Sequence, residues 1–233
     1  MDEKTNNKTK SAEDEIVQLI LDQDMQVGDK LPNEFDLAKQ LGVGRSTLRE
    51  AIRHLAARNV LEVRQGAGTF ISGKRGVPED PLGLTFVGHD PALALELIDI
   101  RLMLEPEVCA IVAQRAVQEQ MERLQGYARE ITRLAESGQD YSEPDAQMHR
   151  YLAECSGNRV LRNLIPIFTS SVGVSIAATN DEYRLATSKE HQAIADAICR
   201  RDSTGARCAM IVHLNTTRNA VARQVAGQVS RDR

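Results

Sequence analysis

The sequence predicts a mainly α-helical protein, in which an N-terminal winged helix-turn-helix domain precedes a C-terminal all-helical bundle of about six helices. Three observations predict this fold. Apolar residues recur at helical spacing on both sides of a glycine turn at residues 42–44. A short alternating segment at residues 61–72 contains the glycines that a tight hairpin needs. From Pro91 onwards the apolar pattern is helical, without convincing strand alternation.

A length of 233 residues favours two domains, each large enough to bury a core. We expect a disordered tail at residues 1–10, the winged helix-turn-helix domain at 11–73, a linker at 74–90 and the helical domain at 91–233. No apolar run approaches the roughly 20 residues that span a bilayer, and the N-terminus is polar. These features predict a cytoplasmic protein without a membrane partner.

The N-terminal elements follow from caps, spacing and turn residues. A first helix is expected from Ser11 to about Asp24, because Ser11 can cap it and acidic residues fill its first turn. A second helix is expected at Asn33–Leu41 and a third at Arg45–Asn59. Two short strands around Gln65–Gly68 then form the wing.

A basic patch in this domain indicates a nucleic-acid partner, although the whole chain carries a net charge of -4. Residues 37–75 contain eight basic and two acidic residues, a local balance of +6. Arginine can pair with guanine in the major groove, and hydroxyls and backbone amides at a helix start can hold phosphate. For any single arginine the alternative is a solvated helix face. The candidates on the third helix are Arg45, Ser46, Thr47, Arg49 and Arg53.

Composition excludes some other classes of protein. The chain has no tryptophan and only 3% aromatic residues, which argues against stacking on single-stranded bases. Its four cysteines are scattered, without a CxxC pair. We therefore expect them to be buried apolar residues, and neither disulfides nor zinc ligands.

Four residues in the C-terminal half can close on one metal ion. Asp145 and His149 lie four apart, so both side chains leave one helix face in the same direction. His191 and His213 would come from other helices. A single histidine is more often a surface or satisfied core residue, but three of the chain's five histidines take part in this set. The ligands suit zinc, nickel, cobalt, iron or manganese without choosing among them.

The predicted bundle also buries an arginine. The segment Leu93–Leu104 is apolar around most of its circumference, yet it contains Arg101. A buried arginine needs an anionic partner, which is either a protein carboxylate such as Glu105 or the carboxylate of a bound ligand. An enzyme would also use a metal with open positions, but its nearest candidate base, Glu190, adjoins His191 and should point roughly 100° away.

At these motifs the sequence resembles the GntR family of bacterial transcription regulators, in the FadR-type subgroup with an FCD-type C-terminal domain. The resemblance covers nearly the whole chain from about residue 11. In the first half it rests on four motifs: Leu31-Pro32-Asn33-Glu34, Leu37-Ala38, residues 43–51 and residues 66–71. In the second half it rests on Arg101 with Glu105, residues 145–149, Ser156-Gly157-Asn158, Glu190-His191 and the segment from Ala206 to Leu214.

The resemblance implies a homodimer that binds a short inverted repeat of double-stranded DNA and a helical domain that binds a metal and a small carboxylate effector. It puts Arg45, Thr47 and Arg49 on DNA-reading positions and Gly66 at the wing tip. It makes Asp145, His149, His191 and His213 the ligands of one divalent ion per chain, with zinc the first candidate. It favours the ligand-binding role for Arg101.

Three departures from the family pattern are visible. Phe35 stands where many relatives have a DNA-holding arginine, Gly44 replaces a common serine, and Met148 replaces a common phenylalanine. The first makes weaker or different operator specificity the expectation, so an operator should not be borrowed from a relative.

We therefore predict a DNA-binding transcription regulator, a repressor controlled by a hydroxy acid, dicarboxylate or sugar acid, and not an enzyme. The alternatives are a regulator whose signal is the metal ion itself and a metal-dependent hydrolase or lyase. Sensing of an acyl-coenzyme A is disfavoured, because relatives with that role lack the metal-binding residues.

Overall fold

The computed structural model describes residues 3–74, 76–78, 80–83, 91–169 and 181–229. It divides into two compact units, Met1–Phe86 and Val87–Arg233. The described part contains nine helices and one pair of strands, which confirms the mainly helical fold class. Part of the expected linker, residues 84–90, lies outside the described residues. None of the described helices is long and apolar enough to cross a membrane.

The first helix, α1, spans Glu3–Asp22 and begins eight residues before the expected start. The structure thus has residues 3–10 in a helix, where the sequence led us to expect a disordered tail at residues 1–10. Residues 3–10 contain neither proline nor glycine to stop a helix. Packing also reaches this far back, because Thr9 and Ala12 are buried. The helix packs against α3 of the same unit.

Helices α2 (Glu34–Leu41) and α3 (Arg45–Ala57) form the predicted helix-turn-helix. Asn33 caps α2, since its side chain accepts a hydrogen bond from the Asp36 backbone N–H at 3.0 Å. Gly42 ends the helix in the left-handed region with φ 64°, where a glycine carries no Cβ penalty. Leu48 and Leu55 of α3 are completely buried in the core of this unit.

Strands β1 (Leu61–Arg64) and β2 (Gly68–Ile71) pair antiparallel, with Leu61 opposite Ile71 and Arg64 opposite Gly68. The turn between them places Gly66 at φ 73°, a conformation that favours glycine. The hairpin stays attached to the unit because Leu61 and Ile71 are buried in its core. This is the wing that the sequence predicts.

The second unit is all-helical in its described part and contains six helices, as predicted. They are α4 (Pro91–Arg115), α5 (Gln118–Glu136), α6 (Ser142–Cys155), α7 (Arg159–Phe168), α8 (Asp181–Cys199) and α9 (Ser203–Val229). Helix α9 packs along α4 and α8, while α5 packs against α8 and α6. Facing helices of a bundle can therefore direct side chains into one interior site.

The cysteines only partly match the prediction. All four are free, and Cys109 and Cys155 are buried, but Cys199 and Cys208 are exposed. Cys199 is the last residue of α8, where the Gln125 side chain of α5 reaches its sulfur at 3.5 Å, and Cys208 lies on α9. Their apolar neighbours in sequence belong to the buried faces of the same helices, as Ile198 and Ala206 show.

Candidate metal centre and nucleic-acid interface

The structure brings the four predicted metal ligands together inside the second unit. Asp145 and His149 lie one turn apart on α6, His191 lies on α8 and His213 on α9. All four are buried, with exposures of 0–3%. Each offers one ligand atom, and these atoms all lie within 4.8 Å of one another. Three helices that are distant in sequence thus supply one cluster.

The ligand atoms lie close together but do not form hydrogen bonds of acceptable geometry with one another. His191 Nε2 is 2.9 Å from Asp145 Oδ1 and His149 Nε2 is 3.6 Å from Asp145 Oδ2. Neither nitrogen has a hydrogen-bond partner with acceptable geometry among the described residues. Buried polar groups are rarely left unpaired. Three nitrogens and a carboxylate that converge in this way fit a divalent transition metal such as zinc.

Outer contacts fix the tautomer of two of these histidines. His191 Nδ1 lies 2.8 Å from the Thr187 backbone carbonyl, which can only accept, so Nδ1 carries the proton. His149 Nδ1 donates in the same way to the Glu105 carboxylate. In both rings the lone pair of Nε2 is therefore left for the cluster. Such second contacts are typical of metal-binding histidines, because they orient the ring and raise its basicity.

The electrostatics of the cluster favour an ionised Asp145 and a neutral His213, whereas for His191 burial disfavours the charged form but the Asp145 carboxylate outweighs it and raises the pKa. Burial opposes ionisation of Asp145, but His191 and the other two histidines outweigh it and hold the pKa of this carboxyl well below its usual range. Burial lowers the pKa of His213 to about 4, and a proton on the neighbouring His191 acts in the same direction. An ionised aspartate and a neutral imidazole are the forms that bind metal.

Arg101 is buried beside this cluster, with an exposure of 1%. Its Nε donates to Glu105 Oε1 at 2.7 Å, and the other oxygen of Glu105 accepts from His149. Burial disfavours the ionised form of Glu105, but Arg101 and then His149 outweigh it and lower its pKa to about 2. Arg101 Nη2 has no hydrogen-bond partner among the described residues. The predicted internal ion pair therefore exists, and it still leaves a buried guanidinium nitrogen available.

Glu190 is closer to the cluster than the sequence predicts. Although it adjoins His191, its Oε2 lies 3.5 Å from His213 Nδ1, and its Oε1 accepts from the Thr216 hydroxyl at 2.6 Å. The expected 100° separation from His191 on one helix is compatible with this contact, because His213 and Thr216 come from α9. The position of a neighbouring helix cannot be predicted from one helix alone.

The candidate DNA-reading residues lie on one side of the first unit's helix-turn-helix. Arg45 and Ser46 start α3, Thr47 follows half-buried, and Arg49 and Arg53 are exposed on the outer face. Gly44 is the N-cap of α3 and makes no side-chain capping bond, so the first amides of the helix are not capped by a side chain at that position. Gly66 lies exposed at the turn of the wing.

Two neighbours constrain the arginines of this face. Arg49 Nε donates to Glu34 Oε2 at 2.7 Å, which joins α3 to the start of α2. The Arg45 guanidinium lies 5.0 Å from the centre of the Phe35 ring, within the range of a cation–π interaction. Phe35, which departs from the family pattern, thus holds one of the candidate DNA-reading arginines. Sequence spacing did not reveal either contact.

Comparison with known protein families divides the chain in the same way. Residues 8–71 match the family described as "Bacterial regulatory proteins, gntR family", and residues 96–216 match the family described as "FCD domain". The metal cluster lies within the second of these ranges and the face with the arginines lies within the first.

Individual relatives extend this match over most of the chain. A "Putative L-lactate dehydrogenase operon regulatory protein" of Escherichia coli is 32% identical over 90% of this chain and 84% of its own length. The "HTH-type transcriptional repressor NanR" of Cronobacter sakazakii is 30% identical over 88% of this chain and 81% of its own length. The solved structure of Streptococcus agalactiae GntR has a TM-score of 0.80, 37% identity and coverage of 91% of this chain and 99% of that one.

Such identity over nearly complete chains exceeds what a shared fold alone would give, and it includes both units. The chain therefore belongs to the GntR family of bacterial regulatory proteins, in the group with an FCD domain, and is a DNA-binding transcriptional regulator.

Proposed function

We propose that the protein is a repressor that acts as a homodimer and whose operator binding is controlled by a small carboxylate bound at a metal ion in the FCD domain. The observation that carries this proposal is the convergence of four buried ligand residues next to a buried arginine with an unpaired nitrogen. A buried cationic donor beside a metal site is a means of binding an anion. The name of the NanR relative supports the repressor role.

The metal would be held by Asp145, His149, His191 and His213, one divalent ion per chain. Zinc is our first candidate, with nickel, manganese, cobalt and iron as alternatives. When bound, the ion offers one or two coordination positions to oxygen atoms of the effector. The protein excludes water around these ligands, because all four are buried, and this strengthens the attraction between an anion and the site.

Arg101 would bind the effector's carboxylate through Nη2 while Nε stays on Glu105. The guanidinium would thus use Nε for the protein carboxylate and Nη2 for the ligand, which agrees with an Nη2 that has no partner among the described residues. Glu105 contacts both Arg101 and His149, so a single residue connects the proposed anion-binding arginine to a metal ligand. A small buried site of this kind suits a hydroxy acid, a dicarboxylate or a sugar acid. The L-lactate in the name of the Escherichia coli relative is a hydroxy acid, which agrees with this class.

On the DNA side, Arg45, Thr47 and Arg49 would contact bases or phosphates from the start of α3. Ser46 and Arg53 would contact the backbone, and Gly66 would lie at the wing tip near DNA. Two chains would each read one half of an inverted repeat, since a dimer with twofold symmetry matches a palindromic operator. All of these residues except the half-buried Thr47 are exposed, which supports the assignment.

An enzyme has one observation in its favour, namely the carboxylate of Glu190 beside His213. This group could act as a base next to a metal. The match of both units to transcriptional regulators favours the sensing role instead. A metal-responsive regulator, in which the ion alone is the signal, is the second candidate, because the ligand cluster is buried and complete without an effector.

The proposal is tested by a thermal-shift screen of the metal-loaded protein against small hydroxy acids, dicarboxylates and sugar acids. A ligand at about 100 times its Kd adds roughly 2.7 kcal/mol of stability, which for a domain of this size raises Tm by roughly 5 to 10 °C. We expect a stabilising acid whose effect disappears after chelation and in Arg101→Ala.

Two controls separate the roles of charge and geometry. Arg101→Lys keeps the charge but loses the planar fork, so it should weaken the shift strongly. Arg150→Ala removes an arginine next to His149 in sequence that pairs outward with Glu143, and it should keep the full shift. A panel without a stabilising acid, combined with a large fall of Tm on chelation alone, would favour the metal-responsive regulator. Conversion of an acid to product would favour the enzyme.

A further inference from the structure

Phe35, in the first turn of α2, is an exposed aromatic side chain on the DNA-binding unit. It is 59% exposed, whereas the other described phenylalanines are half-buried, as Phe70 is, or buried, as Phe168 is. A single exposed apolar side chain is ordinary on a protein surface. Its neighbours therefore decide whether it has a role.

The neighbours of Phe35 place its ring beside the candidate DNA-reading arginines. The Arg45 guanidinium lies 5.0 Å from the centre of the ring. Glu34, the residue before Phe35 on α2, accepts a hydrogen bond from Arg49 Nε at 2.7 Å. Two consecutive residues of α2 thus contact two arginines that lie one turn apart on α3. The exposed ring is on the same side of this unit as both arginines.

The charges around Phe35 are unsuited to a phosphate contact. The carboxylates of Glu34 and Asp36 flank it in sequence, and a phenyl ring has no hydrogen bond to donate. Phosphate groups are bound by cations and hydrogen-bond donors. The edges of the bases in the major groove include one apolar group, the C5-methyl of thymine, and phenylalanine is among the side chains that contact it.

We propose that Phe35 reads a thymine of the operator by packing its ring against the C5-methyl group, beside the base that Arg45 contacts. Successive bases of one strand are about 3.4 Å apart along the helix axis. A ring and a guanidinium separated by 5.0 Å can therefore reach neighbouring base pairs. This inference rests on the proposed function, in which the start of α3 contacts bases.

The contact between Phe35 and Arg45 also prepares the arginine for binding. A guanidinium that lies over an aromatic ring has fewer accessible positions than one in water, so ordering it on DNA costs less entropy. The departure from the family pattern at position 35 then replaces a cationic DNA contact by an apolar one. A change in base preference follows from this replacement, because a methyl contact depends on the base and a phosphate contact does not.

The proposal is tested with the full, metal-loaded chain on an operator selected from random DNA, in which deoxyuridine replaces each thymine in turn. Deoxyuridine lacks only the C5-methyl group and keeps the base pair. We expect one thymine in each half-site at which the replacement weakens wild-type binding by about fourfold, the value of one buried methyl group. Binding is measured by fluorescence anisotropy.

Variants at position 35 show whether the ring makes this contact. Phe35→Ala should bind the unmodified operator at least about fourfold more weakly and should be insensitive to deoxyuridine at that thymine. Phe35→Leu keeps an apolar side chain and should retain part of the sensitivity. Val160→Ala is the control, because Val160 is a 69% exposed apolar residue on α7 of the FCD domain. It should keep the wild-type affinity and the full sensitivity.

A wild type that tolerates deoxyuridine at every thymine would overturn the proposal, as would equal sensitivity in the wild type and in Phe35→Ala. Arg45→Ala is measured in parallel, so that the proposed function is tested separately. Unchanged operator affinity in Arg45→Ala would contradict the assignment of Arg45 to DNA contact. A loss of affinity in Arg45→Ala without any deoxyuridine effect would overturn the role of Phe35 alone.

Discussion

Replacing His191 with alanine is expected to remove the metal ion from the FCD domain and to abolish the response to carboxylates. His191 is completely buried, and its Nε2 faces Asp145 with no hydrogen bond of its own. The measured metal content should fall from about one ion per chain to nearly none. Chelation should then lower Tm for the wild type but not for the variant. An ion at about 1,000 times its Kd contributes roughly 4 kcal/mol, which corresponds to a change in Tm of roughly 10 °C.

The matched control for this prediction is His54→Ala. His54 lies in the DNA-binding unit and contacts Glu13 at 2.8 Å, far in sequence from the four ligands. It should keep one ion per chain and the full effect of chelation. If His191→Ala also retained a full equivalent of tightly bound metal, the assignment of the four ligands would be wrong.

Replacing Arg49 with alanine is expected to weaken specific operator binding by roughly 5- to 150-fold while the fold and the metal content stay intact. Its side chain is 64% exposed, and its ion pair with Glu34 is on the surface, so its loss should cost at most about 1 kcal/mol of stability. A bidentate contact to a base contributes about 1–3 kcal/mol of discrimination, or roughly 5- to 150-fold in affinity. The operator is first selected from random DNA, and binding is then measured by fluorescence anisotropy.

Two variants make this experiment specific. Arg133→Ala removes an arginine of similar exposure, 60%, that also forms a surface ion pair at 2.7 Å but lies on α5 of the FCD domain. It should bind the selected operator as the wild type does. Arg49→Lys should keep much of the salt-dependent affinity for any DNA and lose discrimination. Unchanged operator affinity in Arg49→Ala would show that this residue does not read bases.

The elements of the DNA-binding unit could be predicted because local signals determine their ends. Asn33 caps α2, Gly42 ends it in a conformation suited to glycine, and the glycines around residue 66 form the turn of the wing. The start of α1 was missed for the opposite reason. No local signal marks the first residue of this helix. The burial of Thr9 and Ala12 shows that tertiary packing includes residues upstream of Ser11.

The metal ligands could be proposed from the sequence because histidines are few and Asp145 and His149 are one turn apart. Their surroundings could not be derived in the same way. The contact between Glu105 and His149 joins α4 to α6, and the contact between Glu190 and His213 joins α8 to α9. Spacing within a helix gives the face on which a residue lies, but not which helix packs against that face.

The coupling between the two units is the central claim, and thermodynamic linkage makes it measurable. If a carboxylate lowers operator affinity by some factor, the operator must lower carboxylate affinity by the same factor. Coupling of about 1–3 kcal/mol, or roughly 5- to 150-fold, is typical of allosteric proteins. The two half-sites of an operator lie at a fixed separation. Operator binding is therefore sensitive to a small rotation of the two winged helix-turn-helix domains.

The most direct test is a calorimetric titration of the stabilising carboxylate into the metal-loaded protein, free and saturated with its selected operator. We predict that the Kd for the carboxylate is at least about fivefold higher on the operator complex, at the low end of typical allosteric coupling. Equal carboxylate affinity in the two titrations would contradict the claim that this ligand controls operator binding.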